Sequence, residues 1–189
     1  MDIVKSNYSN YDNDKLDEIK YGLEGLYLNI TKIVIITSLA IVFGIFKEYI
    51  LILFLFNILR FTGFGIHASK SWMCWVSSTI VFIVMPLLCK YVILPNHISW
   101  IIALICLLIF VLHAPSDTPK RPLIRKKRRV IYKVSTALVS LIFIFIIYKT
   151  DNNLVHNAIL ASMIIEAVLI HPLTYKIFNI PYNNYKSYV

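Results

Sequence analysis

The chain predicts an all-α, polytopic membrane helix bundle: about six transmembrane helices led by an N-terminal interfacial amphipathic helix. Three observations carry that expectation. Of 189 residues, 58% are apolar and 15% charged, where a soluble domain has about half and a quarter. The mean hydropathy is +0.70. The apolar residues also fall in runs near the ~20-residue length that crosses a bilayer, separated by short polar stretches. These runs leave no room for a second, soluble domain, so residues 1–189 are expected to form one integral-membrane domain.

Residues 1–13, rich in Asn, Tyr, Ser and Asp, are expected to be loosely ordered. The first 25 residues hold six acidic side chains and no apolar core, so no cleavable signal peptide is expected. From Leu16 the positions Leu16, Ile19, Leu23, Leu26 and Ile30 recur at steps of three and four, one stripe of an amphipathic helix. Asp14 suits its cap, and Asp17 and Glu18 its positive end. Its plainer role is a membrane-surface lead-in to the first span; its functional role would be to receive a substrate.

The first span is expected over residues 26–46, broken by Lys47 and Glu48, and the second over 49–64. The clean apolar core of the second is 11 residues, short of the ~20 that a span usually needs. The third covers 72–94, with Trp72 and Trp75 at the interface belt and Pro86 placed to kink it. The fourth covers 98–113, the fifth 130–148 and the sixth 154–170. Inside the sixth, Glu166 needs a polar partner or a cavity.

Between the second and third spans lies a polar island, residues 60–74, with Arg60, Gly63, Gly65, His67, Ser69, Ser71 and Cys74. A thiol and an imidazole are the minimum parts of a cysteine nucleophile: the imidazole takes the thiol proton and the sulfur attacks a carbonyl. On one straight helix, seven residues would hold His67 and Cys74 about 10 Å apart along the axis. A break is therefore expected between them, with Cys74 one or two turns inside the helix that follows. Arg60 is a fixed cation able to hold a carboxylate or carbonyl, and Gly65 permits a bend. Backbone N–H groups of residues 65–69, or the Ser69 and Ser71 hydroxyls, are the available oxyanion donors. The bland alternative is an interfacial His and a small buried Cys.

Residues 114–129 carry three prolines and seven cations: Lys120, Arg121, Arg125, Lys126, Lys127, Arg128 and Arg129. Between two spans, such a run is a topology determinant and a contact for anionic lipid, or a dock for an acidic substrate segment, and no nucleic-acid partner is expected. With six spans, Lys47, Lys90 and Lys149 fall on one side and the other 16 of the 19 cations share the side of both termini. The positive-inside rule makes that side cytoplasmic. The three cysteines, at 74, 89 and 106, form no CxxC pair, and no H-E-x-x-H motif occurs. Neither a disulfide framework, a metal nor a cofactor is expected.

The string from Arg60 through Gly65-Ile-His67-Ala to Cys74 resembles the signature of the accessory gene regulator protein B (AgrB) family. Further matching pieces occur in the family's order: Tyr21-Gly22-Leu23-Glu24, Ala114-Pro115 to Lys120-Arg121-Pro122 with its basic cluster, and residues 158–166 ending at Glu166. The resemblance implies a bacterial cell-membrane cysteine endopeptidase of quorum sensing. It implies that Cys74 and His67 are catalytic, with Arg60 and Gly65 in support. The implied partner is an AgrD-type propeptide, cut on the C-terminal side of its future signal and closed into a thiolactone or lactone. The family is also known for dimers, so a homodimer stays open. Two other readings remain beside it: a non-catalytic peptide exporter or channel gated by the polar island, and a lipid-binding membrane protein with an incidental His and Cys.

Overall fold

The computed structural model describes residues 13–66, 71–92, 94–119 and 121–188, and every regular element among them is helical. In chain order these are α1 (Asn13–Val42), α2 (Phe46–Gly63), α3 (Ser71–Thr79), a π-helical segment (Ile80–Val84) and α4 (Met85–Tyr91). Then come α5 (Asn96–His113), α6 (Lys126–Lys149), α7 (Asn153–Ile170), α8 (Pro172–Ile177) and a 3-10 turn (Asn184–Tyr188).

Five of the described stretches are long and apolar enough to cross a membrane: Gly22–Val42, Trp72–Tyr91, Asn96–His113, Lys126–Lys149 and Asn153–Ile170. The remaining expected span is α2. Its 18 residues equal α5 and α7 in length, but it carries Lys47, Glu48 and Arg60 where α5 has no Asp, Glu, Lys or Arg and α7 only Glu166. Lys47, Glu48 and Arg60 sit near its ends, and between them Ile52, Leu55, Phe56 and Leu59 are buried in the bundle.

The amphipathic N-terminal stretch and the first span form one helix, α1, of 30 residues and about 45 Å. No proline interrupts it. Leu23, Leu26 and Ile30 are 50–58% exposed, so the apolar stripe faces away from the bundle. The turn leading into Pro86, where a kink is expected, is a wide one. Pro86 has no N–H to offer the Phe82 carbonyl, and the Met85 amide bonds back five residues to Ile80.

The core is built around α7. Two-thirds of that span is buried, against 11–22% of the other four. Ala158, Ala161, Ser162 and Ala167 keep its surface low, so that α2, α5 and α6 pack closely against it. The outer faces carry Ile33, Phe54, Leu104, Leu141 and Phe145, all half or more exposed, as lipid-facing surfaces do. At one end of the bundle Lys90 Nζ donates to the Gly44 carbonyl at 2.8 Å, close to the α1–α2 turn. The other end gathers the C-termini of α2, α5 and α7 with the start of α3 and α6.

Candidate active site

The site is assembled where α2 ends. Gly63 lies on its last turn, and a Cβ there would sit 2.6 Å from Glu166 Oε1. The missing side chain lets the α7 carboxylate lie against α2. One turn earlier, Arg60 Nη1 stands 3.7 Å from Glu166 Oε2, and Glu166 is fully buried. Arg60 also donates through Nη2 to the Ile66 carbonyl. Neither Glu166 oxygen has a hydrogen-bond partner among the described residues. A buried ion pair is retained at a desolvation cost, so its geometry matters more than its net stability.

Past Gly63 the chain reverses through two left-handed residues, Phe64 at φ 68° and Gly65 at φ 80°. Phe64 occupies a region that side chains disfavour, so the surrounding structure must hold it there. Gly65 N–H donates to the Ser116 carbonyl at 2.8 Å, Ser116 N–H to the Gly63 carbonyl at 3.0 Å, and Ile66 N–H to the Leu169 carbonyl at 3.1 Å. A Cβ at Gly65 would meet the Arg60 guanidinium and would lie 3.0 Å from the Leu169 carbonyl oxygen. The bend therefore needs glycine for its conformation and for its space.

The loop after α5 supplies that brace. Ser116, Asp117 and Thr118 are buried, so the first half of the expected basic loop is an inner strut. Asp117 accepts from the backbone N–H groups of Leu123, Asn184 and Tyr185 at 2.9–3.2 Å. Tyr175 donates to the Ser116 carbonyl at 3.0 Å, and burial pushes its hydroxyl pKa up, keeping it a neutral donor. The C-terminal segment thus holds the loop that holds the Gly63–Ile66 bend. Lys126, Lys127, Arg128 and Arg129 form the first turn of α6, at the positive end of its dipole. That position disfavours cations, so their placement does not serve helix stability. Arg125 precedes them, exposed. Arg129 lies 3.4 Å over the Tyr185 ring and Arg121 4.4 Å over Phe64.

Cys74 is half-buried near the start of α3, within the helix that follows the bend. It lines a cavity of about 220 Å³ together with Arg60, Ile66, Met73 and Phe178. Its Sγ accepts a hydrogen bond from Lys32 Nζ at 3.1 Å, across from α1. His67, Ser69 and Lys120 lie outside the described residues, as does the side chain of Ser71, and so does the expected break between His67 and Cys74. Of the expected oxyanion donors, the amides of Gly65 and Ile66 are bonded to the Ser116 and Leu169 carbonyls. Sequence reading missed Lys32. Its signal was a single lysine among apolar neighbours inside a span, where a charge is costly. The other thiols differ. Cys89 Sγ donates to the Asn157 carbonyl at 3.5 Å, and Cys106 is buried in the apolar core.

Residues 1–170 match the family model described as Accessory gene regulator B. An AgrB-like protein of Clostridium acetobutylicum is 32% identical over 174 residues, covering 92% of this chain and 83% of its own. One of Listeria monocytogenes is 30% identical over 175 residues, covering 90% and 84%. The accessory gene regulator protein B of Staphylococcus carnosus is 28% identical over 145 residues, covering 75% of each chain. No solved structure matches.

Proposed function

This chain belongs to the accessory gene regulator B family, with a role in that quorum-sensing system, and on that premise we propose that it is a membrane cysteine endopeptidase acting on an AgrD-type propeptide. The observation that supports this best is the shared cavity. Cys74 opens into it beside Arg60, and Ile66, the residue before His67 in the chain, is one of its walls. Most of the walls are apolar, which suits a peptide lying at the membrane edge with its scissile carbonyl out of bulk water.

The chemistry balances with the chain's own groups. His67 takes the proton of the Cys74 thiol, and Sγ bonds to the scissile carbonyl carbon. The C–N bond then breaks, and the leaving amine takes the proton back from His67. The acyl thioester passes to a Cys or Ser side chain of the same peptide, closing the ring and restoring the thiol. Exchange between thioesters is near neutral in energy and needs only the acceptor held close while water is scarce. Arg60, fixed by Glu166, holds the backbone that leads into His67, and Gly65 gives it room. The Ser69 and Ser71 hydroxyls remain candidates to steady the oxyanion.

Arg121, Arg125 and Lys126 to Arg129, with Lys120 beside them in sequence, dock an acidic substrate tail, anionic lipid headgroups, or both. With α2 counted as a span, both termini, the Cys74 site and this basic end face the cytoplasm. Lys47 and Lys149 lie at the opposite ends of their helices, in keeping with the positive-inside rule. A homodimer remains part of this proposal. The test is reconstitution of the purified protein alone in liposomes with such a propeptide. Cleavage that is lost in both His67→Ala and Cys74→Ala is the expected result. Cleavage that persists in either variant would reject the His67/Cys74 assignment, and transport of the peptide uncut by the unsubstituted protein would reject the endopeptidase in favour of an exporter.

A further inference from the structure

We infer that Lys32 is a further catalytic residue, whose ammonium group holds the Cys74 sulfur as the thiolate that attacks. The inference rests on Cys74 being the nucleophile proposed above. Lys32 lies inside the Gly22–Val42 span and Cys74 near the start of the Trp72–Tyr91 span, and the two meet at 3.1 Å, half-buried. A lysine in an apolar span costs about 2.5–3.5 kcal/mol unless it finds a partner. Among the described residues, no carboxylate lies within ion-pair distance of Lys32. A neutral thiol is a poor acceptor, whereas a thiolate is a full countercharge. A thiolate at this place would answer the ammonium charge, and it is the state required for attack on a carbonyl.

The position is structurally enforced. The Lys90–Gly44 contact ties the far end of α4 to the α1–α2 turn, and α1 packs against the π-helical segment between α3 and α4, which brings Lys32 and Cys74 onto neighbouring runs. Arg60 lines the same cavity but is occupied by Glu166 and the Ile66 carbonyl, and among the described residues Lys32 is the cation left at the sulfur. In the reaction the thiol proton leaves through His67. Lys32 keeps its own protons throughout, and the sulfur loses its negative charge to the new S–C bond.

The test uses full-length protein in liposomes, with Cys89 and Cys106 replaced by Ala so that Cys74 is the remaining thiol. Its second-order alkylation rate by iodoacetamide at neutral pH is measured in Lys32, Lys32→Arg, Lys32→Met and Lys32→Gln forms. Both neutral variants should react about tenfold or more slowly, and Lys32→Arg should stay within about threefold of the parent. Lys32→Gln keeps a polar donor and serves if Lys32→Met fails to insert. In protein with all three cysteines, Cys74 should react about tenfold faster than Cys89, a comparison that needs no change at Lys32. Equal rates for the two thiols, or neutral variants as fast as the parent, would overturn the inference. Cleavage that requires Cys74 but is unchanged in Lys32→Met would overturn it while leaving the endopeptidase standing. Alkylation that depends on Lys32 in a protein that cuts no propeptide would do the reverse.

Discussion

Cys74 and Cys89 lie on the same helical run, both half-buried, and meet opposite surroundings. Cys74 Sγ accepts from a lysine and faces a cavity that contains an arginine. Cys89 Sγ donates to a backbone carbonyl, and its cavity, lined by Met85, Leu88, Leu160 and Ile164 among others, holds no charged residue. The end of the bundle around Cys74 spends helix ends, a buried ion pair and two glycines on fixing one bend. The region around Cys89 is ordinary packing, with Asn157 closing the free carbonyls of Cys89 and Val92 at 3.0 and 2.8 Å. On the proposed reading, the reactivity of a thiol here follows its place along the helix, not its residue type.

The sharpest break of that contrast is replacement of each thiol. Cys74→Ala should lower propeptide cleavage by about 10⁴-fold or more, whereas Cys89→Ala should leave it within about twofold. Rate assays on matched amounts of inserted protein measure both.

Glycines give the next largest effect. Gly65→Ala puts a side chain at φ 80° against the Leu169 carbonyl and should cut cleavage about 10²-fold by moving the Gly65–Ile66 bend. Gly22→Ala and Gly25→Ala meet nothing within 4 Å, and each should instead add up to about 1 kcal/mol of helix stability with cleavage unchanged. Thermal unfolding read beside activity separates the two classes.

Arg60→Lys keeps a charge but loses the fork that spans Glu166 and the Ile66 carbonyl, and should cost about tenfold in kcat. Its counterpart at the other site is Asn157→Ala, which should cost about 1–3 kcal/mol of stability while leaving kcat unchanged well below the melting point.

These residues also show what could be read in the sequence. The apolar runs declare the helices, because a helix in lipid must satisfy its backbone locally and display apolar side chains, both of which are sequence-local properties. The polar island stood out for the same reason. Glu166 signalled the need for a partner and Arg60 the ability to be one, yet nothing in either neighbourhood joined them. The Lys32–Cys74 contact was hidden likewise, since helix pairing is decided by side chains far apart in the chain. The inner strut at Ser116 and Asp117 is not legible in the sequence, because the prolines and neighbouring cations outweigh three small polar residues whose partners lie on other elements. The separate interfacial helix merged into α1 because Gly22 and Gly25 weaken a helix without breaking it.

The smallest effect concerns the basic end. Neutralising two of Arg125, Lys126, Lys127, Arg128 and Arg129 should raise KM by about two- to fivefold and leave kcat nearly constant, since exposed charge pairs contribute little individually. Raising the salt concentration should imitate the substitution in the parent protein. A change in kcat with KM constant would move these residues from docking to another role.

The central claim is that Cys74 carries the substrate covalently, and intact-mass spectrometry tests it most directly. A propeptide whose internal acceptor Cys is replaced by Ala should still be cut once by the unsubstituted protein. The protein should then gain the mass of the N-terminal fragment less one water, with the adduct mapping to Cys74 and released by hydroxylamine. Rapid turnover of that substrate to free acid with no adduct on Cys74, or an adduct on Cys89 in its place, would contradict the account.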